Sequence, residues 1–123
     1  MTDSKLVDSS VWIEHLFNNK YNEIIDSDDI LLISPLSLFE IKKKLKKEKI
    51  DNQKIKISLD YIKRKCLIIE LTSEIAEEAA QLSFEHKIPA MDSLIYTTAK
   101  MRKAHFITCD NDFRGLPNVT ILS

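Results

Sequence analysis

The sequence predicts an α/β fold with a central, mostly parallel sheet of about four to five strands that is flanked by helices. Three observations support this class. The candidate strands are apolar along their whole length, as expected of strands that are buried on both faces. They alternate along the chain with longer segments of helical periodicity. The length suits one domain, 1–123, without repeats or a convincing linker.

The first half of the chain contains two candidate strands, and a helical pattern follows each of them directly. Residues 5–7 form a short strand, and apolar residues then recur with helical spacing over 11–17. Ile30–Ile33 is a second, wholly apolar strand. The Ser-Pro pair at 34–35 supplies a capping residue and a first-turn proline, so we expect a helix over about 36–48.

The second half continues the alternation of helices and strands. In chain order we expect a helix at 52–65, a strand at 66–71, helices at 73–86 and 91–103, and strands at 105–108 and 119–122. Pro89 separates the two middle helices, because proline ends helical patterns. A polar loop around 110–112 separates the last two strands.

Composition excludes several classes of function. Gly115 is the only glycine, so the chain has no glycine-rich phosphate loop of the P-loop or G-x-G-x-x-G type. Cys66 and Cys109 belong to no C-x-x-C pair, and we expect two reduced thiols rather than a zinc site. No apolar run approaches the ~20 residues of a membrane span, and the N-terminus does not resemble a signal peptide. We therefore expect a cytoplasmic protein.

The net charge of −1 hides an uneven distribution. Between residues 42 and 65 there are eleven Lys or Arg against three acids, a local balance of +8, so the rest of the chain carries −9. Such a segment can attract a polyanion to one face of a protein. A solvated, lysine-rich pair of helices is the plainer explanation, and the sequence leaves both open.

Four carboxylates are placed where they could meet at one edge of the sheet. Asp8 ends the first strand and Asp110 follows the fourth, while Glu40 and Asp92 lie in the first turns of helices. In open parallel sheets, ligands bind beyond the carboxyl ends of the strands. Taken singly, Asp8 and Asp92 could be helix caps, Glu40 could pair with nearby lysines, and Asp110 could belong to a turn. One shared cause is more probable than four separate ones.

A cluster of this kind needs positive charge. Two carboxylates ~4 Å apart repel by roughly 4 kcal/mol at an effective dielectric of 20, so protons or cations must neutralise them. Oxygen-only ligands select hard cations such as Mg²⁺ or Mn²⁺, and a two-metal arrangement can hydrolyse phosphodiesters without a histidine base. His15, His86 and His105 show no ligand-like spacing. The acids therefore predict metal-dependent phosphodiester hydrolysis.

Four segments carry a family resemblance: 6–10 (LVDSS), 38–41 (LFEI), 92–99 (DSLIYTTA) and 107–113 (ITCDNDF). In order and spacing they resemble PIN domains, specifically the VapC-type toxins of bacterial and archaeal toxin–antitoxin pairs. The resemblance implies a PIN-like three-layer α/β fold and Mg²⁺- or Mn²⁺-dependent endoribonuclease activity on RNA. It also implies a homodimer and inhibition by a small antitoxin protein.

The resemblance assigns roles by position. Asp8, Glu40, Asp92 and Asp110 match the acidic quartet that holds metal and carries catalysis. The family's small hydroxyl positions, which orient the acids or their waters, match Thr108 and either Ser9 or Ser10, and Asp112 matches a frequent extra acid and possible metal ligand.

Two other functions stay open at this stage. A catalytically inactive PIN-like module that binds RNA or protein would share the fold and the resemblance. A receiver-type phospho-acceptor domain is disfavoured, because it needs an aspartate after the third strand, where this chain has Glu70-Leu71-Thr72.

The first helix is apolar over a wide arc. We expect core burial of its apolar residues, with the alternative that Trp12 and Phe17 line a groove for the antitoxin.

Overall fold

The computed structural model describes residues 3–123, which form a parallel sheet between two layers of helices. In chain order the elements are β1 (Ser4–Val7), α1 (Ser9–Asn18), α2 (Asn22–Ile25), β2 (Ile30–Ile33), α3 (Pro35–Lys47), α4 (Asn52–Lys65), β3 (Cys66–Ile68), α5 (Ser73–His86), α6 (Ala90–Met101), β4 (His105–Thr108), a 3₁₀ helix (Asn111–Phe113) and β5 (Val119–Ile121). None of the helices in this part of the chain combines the length and apolarity needed to cross a membrane.

The five strands lie in the order β3-β2-β1-β4-β5, and every neighbouring pair is parallel. The predicted parallel α/β class is therefore confirmed. From β1 the chain moves outward through β2 to β3, then returns to the other side of β1 to form β4. The strand order thus reverses between β1 and β4, which is where open α/β sheets bind ligands. In a receiver-type order the third strand would lie beside the first, whereas here β3 is an edge strand.

Adjacent residues of each central strand enter opposite layers. Leu6 packs with Phe106 in a core beneath α6, whereas Val7 packs with Ile107 in a core beneath α1, α3 and α4. All four side chains are at most 4% exposed, and full burial of such a side chain contributes about 1.5–3 kcal/mol. Helix α5 packs against α6 in the second layer. This two-sided burial explains the consecutive apolar residues in the central strands β1, β2 and β4.

Local signals position the helices that follow the strands. Ser34 accepts a hydrogen bond from the Leu36 N–H at 3.1 Å, with Pro35 in the first turn of α3, as predicted. Thr72 caps α5 in the same way by accepting from the Ile75 N–H at 3.1 Å. Each cap satisfies a backbone N–H that has no partner within its helix.

Several predicted boundaries differ from the structure. The predicted strand at 66–71 ends at Ile68, because the chain leaves the sheet after Ile69 and Thr72 starts the next helix. The predicted helix at 91–103 is Ala90–Met101, since Lys103 adopts a left-handed conformation. Helix α2 was not predicted, because its four residues are too few to show a period.

The interpretation of Trp12 as a partner-binding residue is wrong. Its side chain is completely buried in the core beneath α1, where it meets the rings of His15 and Tyr61 edge to face. Phe17, one and a half turns further along α1, is 40% exposed. Core burial therefore accounts for most of the wide apolar arc of this helix.

Both cysteines are free thiols, as predicted. Cys66 is buried, and this burial raises the pKa of its thiol to about 12. Such a thiol stays protonated at neutral pH and behaves as a small core residue.

Candidate metal centre

Asp8 and Asp110 lie at the carboxyl ends of the two strands between which the strand order reverses. Asp8 directly follows β1, and its N–H donates to the Ile107 carbonyl oxygen at 2.9 Å, which extends the pairing with β4. Asp110 lies two residues beyond β4. The sheet therefore delivers both acids to the same edge, as their sequence positions predicted.

Two hydroxyl groups hold the carboxylate of Asp8. Asp8 Oδ2 accepts hydrogen bonds from Thr108 Oγ1 at 2.8 Å and from Ser10 Oγ at 2.9 Å. The same hydroxyl oxygens accept from the backbone N–H groups of Asp110 and Cys109, at 3.0 and 2.9 Å. Each hydroxyl thus donates to Asp8 and accepts from the loop after β4, and this double use ties the start of α1 to that loop.

Glu40 is held by a different serine. Ser9 Oγ donates to Glu40 Oε1 at 2.9 Å and so links α1 to α3. The sequence did not separate the roles of Ser9 and Ser10, and the structure gives each its own carboxylate. The lysine pairing considered for Glu40 is wrong, because none of the ion pairs among residues 3–123 includes Glu40, and Lys44 pairs with Glu48 at 3.0 Å.

The remaining acids meet one another. Asp92, Asp110 and Asp112 each offer a carboxylate oxygen, and these oxygens lie within 4.8 Å of one another. Asp92 comes from the first turn of α6, and the other two come from the loop after β4. Asp110 Oδ1 accepts from the Asp112 N–H at 2.9 Å, so the turn explanation of Asp110 is correct without excluding a place in the cluster.

Capping does not explain the two acids that begin helices. Asp8 occupies the N-cap position of α1, yet its side chain makes no capping hydrogen bond and is directed to Thr108 and Ser10 instead. Asp92 lies within α6, after the N-cap residue Pro89. Both acids gain from the positive end of a helix dipole, but neither side chain serves as a cap.

We call Asp8, Glu40, Asp92, Asp110 and Asp112 the acidic cluster. Burial, together with the negative charges of the other four members, raises the pKa of Asp92 to about 6. Burial also raises the pKa of Glu40, despite the hydrogen bond from Ser9, and that of Asp8, despite its two hydroxyl donors. Each of these carboxylates is therefore harder to ionise than a free one.

The acidic cluster is rich in negative charge. Within residues 3–123, none of the ion pairs includes one of its members. The candidate ligand group contains carboxylate oxygens and neither histidine nor cysteine. Converging, partly buried, uncompensated carboxylates fit a hard divalent cation such as Mg²⁺ or Mn²⁺.

The sequence assigns Asp112 only as an extra acid. In the structure it shares a candidate ligand group with Asp92 and Asp110, and Asp8 and Glu40 are not members of that group. The Asp-x-Asp spacing was the available signal. A turn capped by Asp110 brings Asp112 back to the same side, and the buried Phe113 anchors that turn in the core.

Comparisons with known proteins identify the family of this fold. The family described as "PIN domain" matches residues 5–119. No curated protein sequence matches significantly. A toxin–antitoxin complex from Klebsiella pneumoniae is 25% identical and superposes with a TM-score of 0.76, covering 94% of this chain and 95% of that one.

Two further structures share the fold. VapBC2 from Rickettsia felis, bound to a DNA fragment from its promoter, is 18% identical with a TM-score of 0.78 and covers 97% of both chains. Mycobacterium tuberculosis VapC20, described as a toxin that cleaves the sarcin–ricin loop, is 14% identical with a TM-score of 0.75. That match covers 97% of this chain and 99% of the VapC20 chain.

Proposed function

This chain belongs to the PIN-domain family, and from that premise we propose that it is a metal-dependent endoribonuclease, the toxin of a toxin–antitoxin pair. The observation that carries the proposal is the convergence of Asp92, Asp110 and Asp112 at the strand-order reversal, with no basic partner among the described residues. The similarity to the Klebsiella pneumoniae complex supports a toxin rather than a general nuclease.

The metal ligands would be Asp8, Glu40, Asp92 and Asp110, with Asp112 as a further oxygen donor. When bound, Mg²⁺ or Mn²⁺ supplies the positive charge that a phosphodiester needs at this acidic edge and lowers the pKa of the attacking water. The reaction would add one water across a P–O bond of RNA.

The protein's own contribution is to hold these oxygens in place. Ser10 and Thr108 fix one oxygen of Asp8 and leave the other without a hydroxyl donor, and Ser9 does the same for Glu40. Fixed ligand oxygens need little rearrangement during the reaction, which is how preorganised sites lower a barrier.

The partners follow from the same proposal. Several similar structures are named as toxin–antitoxin complexes or VapBC pairs, which supports a small cognate antitoxin for this chain. We further propose that the protein forms a homodimer and acts on RNA in the cytoplasm.

Incubation of purified protein with mixed RNAs in Mn²⁺, in Mg²⁺ and in EDTA tests the activity. We expect cleavage by the wild type with either metal, none in EDTA, and none by Asp8→Asn or Asp92→Asn. Asp28→Asn is the matched control, because Asp28 is exposed in the loop before β2, at the opposite edge of the sheet. Equal cleavage by the wild type and the cluster variants would refute the mechanism.

A catalytically inactive PIN-like module is the competing function. It would bind RNA or protein without cleaving RNA under any metal condition. The unpaired acidic cluster favours the enzyme, because a module that only binds has no need to keep mutually repelling carboxylates together.

A further inference from the structure

A basic groove lies between α3 and α4, on the lysine-rich part of the chain. It has a volume of about 460 Å³, and its walls include Lys42 and Lys46 from α3 and Lys56 and Lys63 from α4. All four lysines are exposed. The sequence left the purpose of this segment open, and none of these lysines belongs to the acidic cluster.

The groove keeps an excess of positive charge. Its one acid, Asp60, pairs with Lys56 at 3.1 Å. Lys46 donates to the Asn52 side-chain oxygen at 3.0 Å and so keeps its charge, and neither Lys42 nor Lys63 takes part in an ion pair among residues 3–123. The ammonium groups of Lys42, Lys46 and Lys63 therefore line the groove without carboxylate partners.

An exposed stripe on α3 continues from this groove toward the N-terminal end of the helix. Phe39, Lys42, Lys43 and Lys46 fall on one side of the helix, because positions three, four and seven apart share a face. The stripe spans about 10 Å at the α-helical rise of ~1.5 Å per residue. Its first residue, Phe39, directly precedes Glu40 of the acidic cluster in the sequence.

Phe39 places a large aromatic side chain on the exposed surface of α3. Its ring is 57% exposed, and Lys43 Nζ lies 5.9 Å from the ring centroid. An exposed aromatic face next to cations is the combination with which proteins bind single-stranded nucleic acid, by stacking a base and pairing the phosphates.

We infer that Phe39, Lys43 and the α3–α4 groove form a binding track for single-stranded RNA that leads to the acidic cluster. The inference rests on the proposed function for the identity of the polyanion. An acidic cluster repels phosphates, so a nuclease of this charge must hold its substrate through another surface. An acidic peptide would match the lysines, but it would leave the aromatic ring of Phe39 without a partner.

Binding of a fluorescein-labelled single-stranded RNA of about 12 nucleotides, in excess EDTA to prevent cleavage, tests the groove. We expect the triple variant Lys42→Gln/Lys46→Gln/Lys63→Gln to lose about tenfold or more in affinity. The slope of log affinity against log salt should become shallower by about 2, at roughly 0.7 for each lost phosphate contact.

The matched control removes the same charge elsewhere. Lys100, Arg102 and Lys103 are exposed at the C-terminal end of α6, away from the Asp92 end of that helix. Their triple replacement by Gln should change affinity and slope little. Equal losses of RNA affinity in both triple variants would mean that affinity depends only on net charge, and would overturn the inference. Circular dichroism melting establishes that each variant is folded.

A second pair of variants tests the stacking. Phe39→Leu keeps an apolar side chain but removes the aromatic face, and we expect a loss of about fivefold or more in RNA affinity. Phe84→Leu is the control, since Phe84 is 81% exposed on α5, in the other helical layer. An unchanged affinity for Phe39→Leu would contradict the track.

Two further outcomes separate this inference from the proposed function. Loss of RNA binding in the groove variant, with no cleavage by the wild type in Mg²⁺ or Mn²⁺, would support the track and refute the ribonuclease. Metal-dependent cleavage by the wild type, with unchanged RNA binding by the groove variant, would support the ribonuclease and refute the track. If an oligoglutamate of matched charge binds as tightly as the RNA, and its binding is lost in the groove variant, the groove belongs to an acidic peptide and the inference is overturned.

Discussion

Asp92→Asn removes one negative charge from the most crowded part of the acidic cluster. In the folded protein, burial and the other four carboxylates raise the pKa of Asp92 to about 6, against 3.8 for a free aspartate. The ionised side chain therefore destabilises the metal-free fold at neutral pH. An amide of nearly the same shape carries no charge, so the variant should be more stable than the wild type in EDTA.

The size of the gain follows from the two pKa values. A pKa of about 6 against 3.8 corresponds to roughly 3 kcal/mol at 1.36 kcal/mol per pH unit, which we halve to about 1.5 kcal/mol because the carboxylate is partly open to solvent. Loss of the favourable charge at the start of α6 costs about 0.5 kcal/mol. The net gain is about 1 kcal/mol, or roughly 3–5 °C in Tm for a chain of this size.

The pH dependence of stability independently checks the sign of this effect. A raised carboxyl pKa means that the folded wild type binds the proton more tightly than the unfolded chain, so the wild type loses stability as pH rises from about 4 to about 6. The Asn variant does not titrate there. The gap in Tm between the two proteins should therefore open across that window and close below pH 4.

Thermal melting in EDTA at several pH values, followed by circular dichroism, measures both effects. Asp28→Asn is again the control. Addition of Mg²⁺ should then stabilise the wild type more than Asp92→Asn, by up to about 2.7 kcal/mol when the ion is at a hundred times its Kd. The reasoning is refuted if Asp92→Asn is no more stable than the wild type in EDTA at pH 7.5. It is equally refuted if millimolar Mg²⁺ leaves wild-type melting unchanged.

Two further predictions concern Thr108 and the aromatic residues of α1. Thr108→Val should lower the free energy of unfolding by about 1–2 kcal/mol. It should also move the acidic limb of the pH–cleavage profile to higher pH, because Asp8 loses a hydrogen bond that lowers its pKa. Thr98→Val, which also loses a buried hydroxyl bond, should cost stability without moving that limb, and an identical shift in both variants would contradict the role of Thr108. Trp12→Ala should lower the free energy of unfolding in urea by about 3–5 kcal/mol, since the side chain is fully buried. Phe17→Ala should cost less than about 1 kcal/mol, and equal losses would be inconsistent with the burial of the two rings.

Sequence reasoning predicted the layers better than the ends of the elements. Apolar runs such as Ile30–Ile33 are readable as strands because both of their faces are covered. The end of β3 was not readable, since Ile69 is buried and Leu71 is 39% exposed although both are large and apolar. Hydrophobicity alone does not distinguish a residue that is paired in the sheet from one that has just left it.

The sequence by itself determined the fold class, and the strand ends at which Asp8 and Asp110 stand. Those features depend on local periodicity and on the rule that parallel strands end at one edge. Only the tertiary structure decided that Ser9 holds Glu40 while Ser10 and Thr108 hold Asp8, and that Asp112 joins Asp92 and Asp110. The physical reason is distance along the chain. Thr108 and Asp8 are 100 positions apart, and a hydrogen bond of 2.8 Å between them exists only once β1 and β4 have paired.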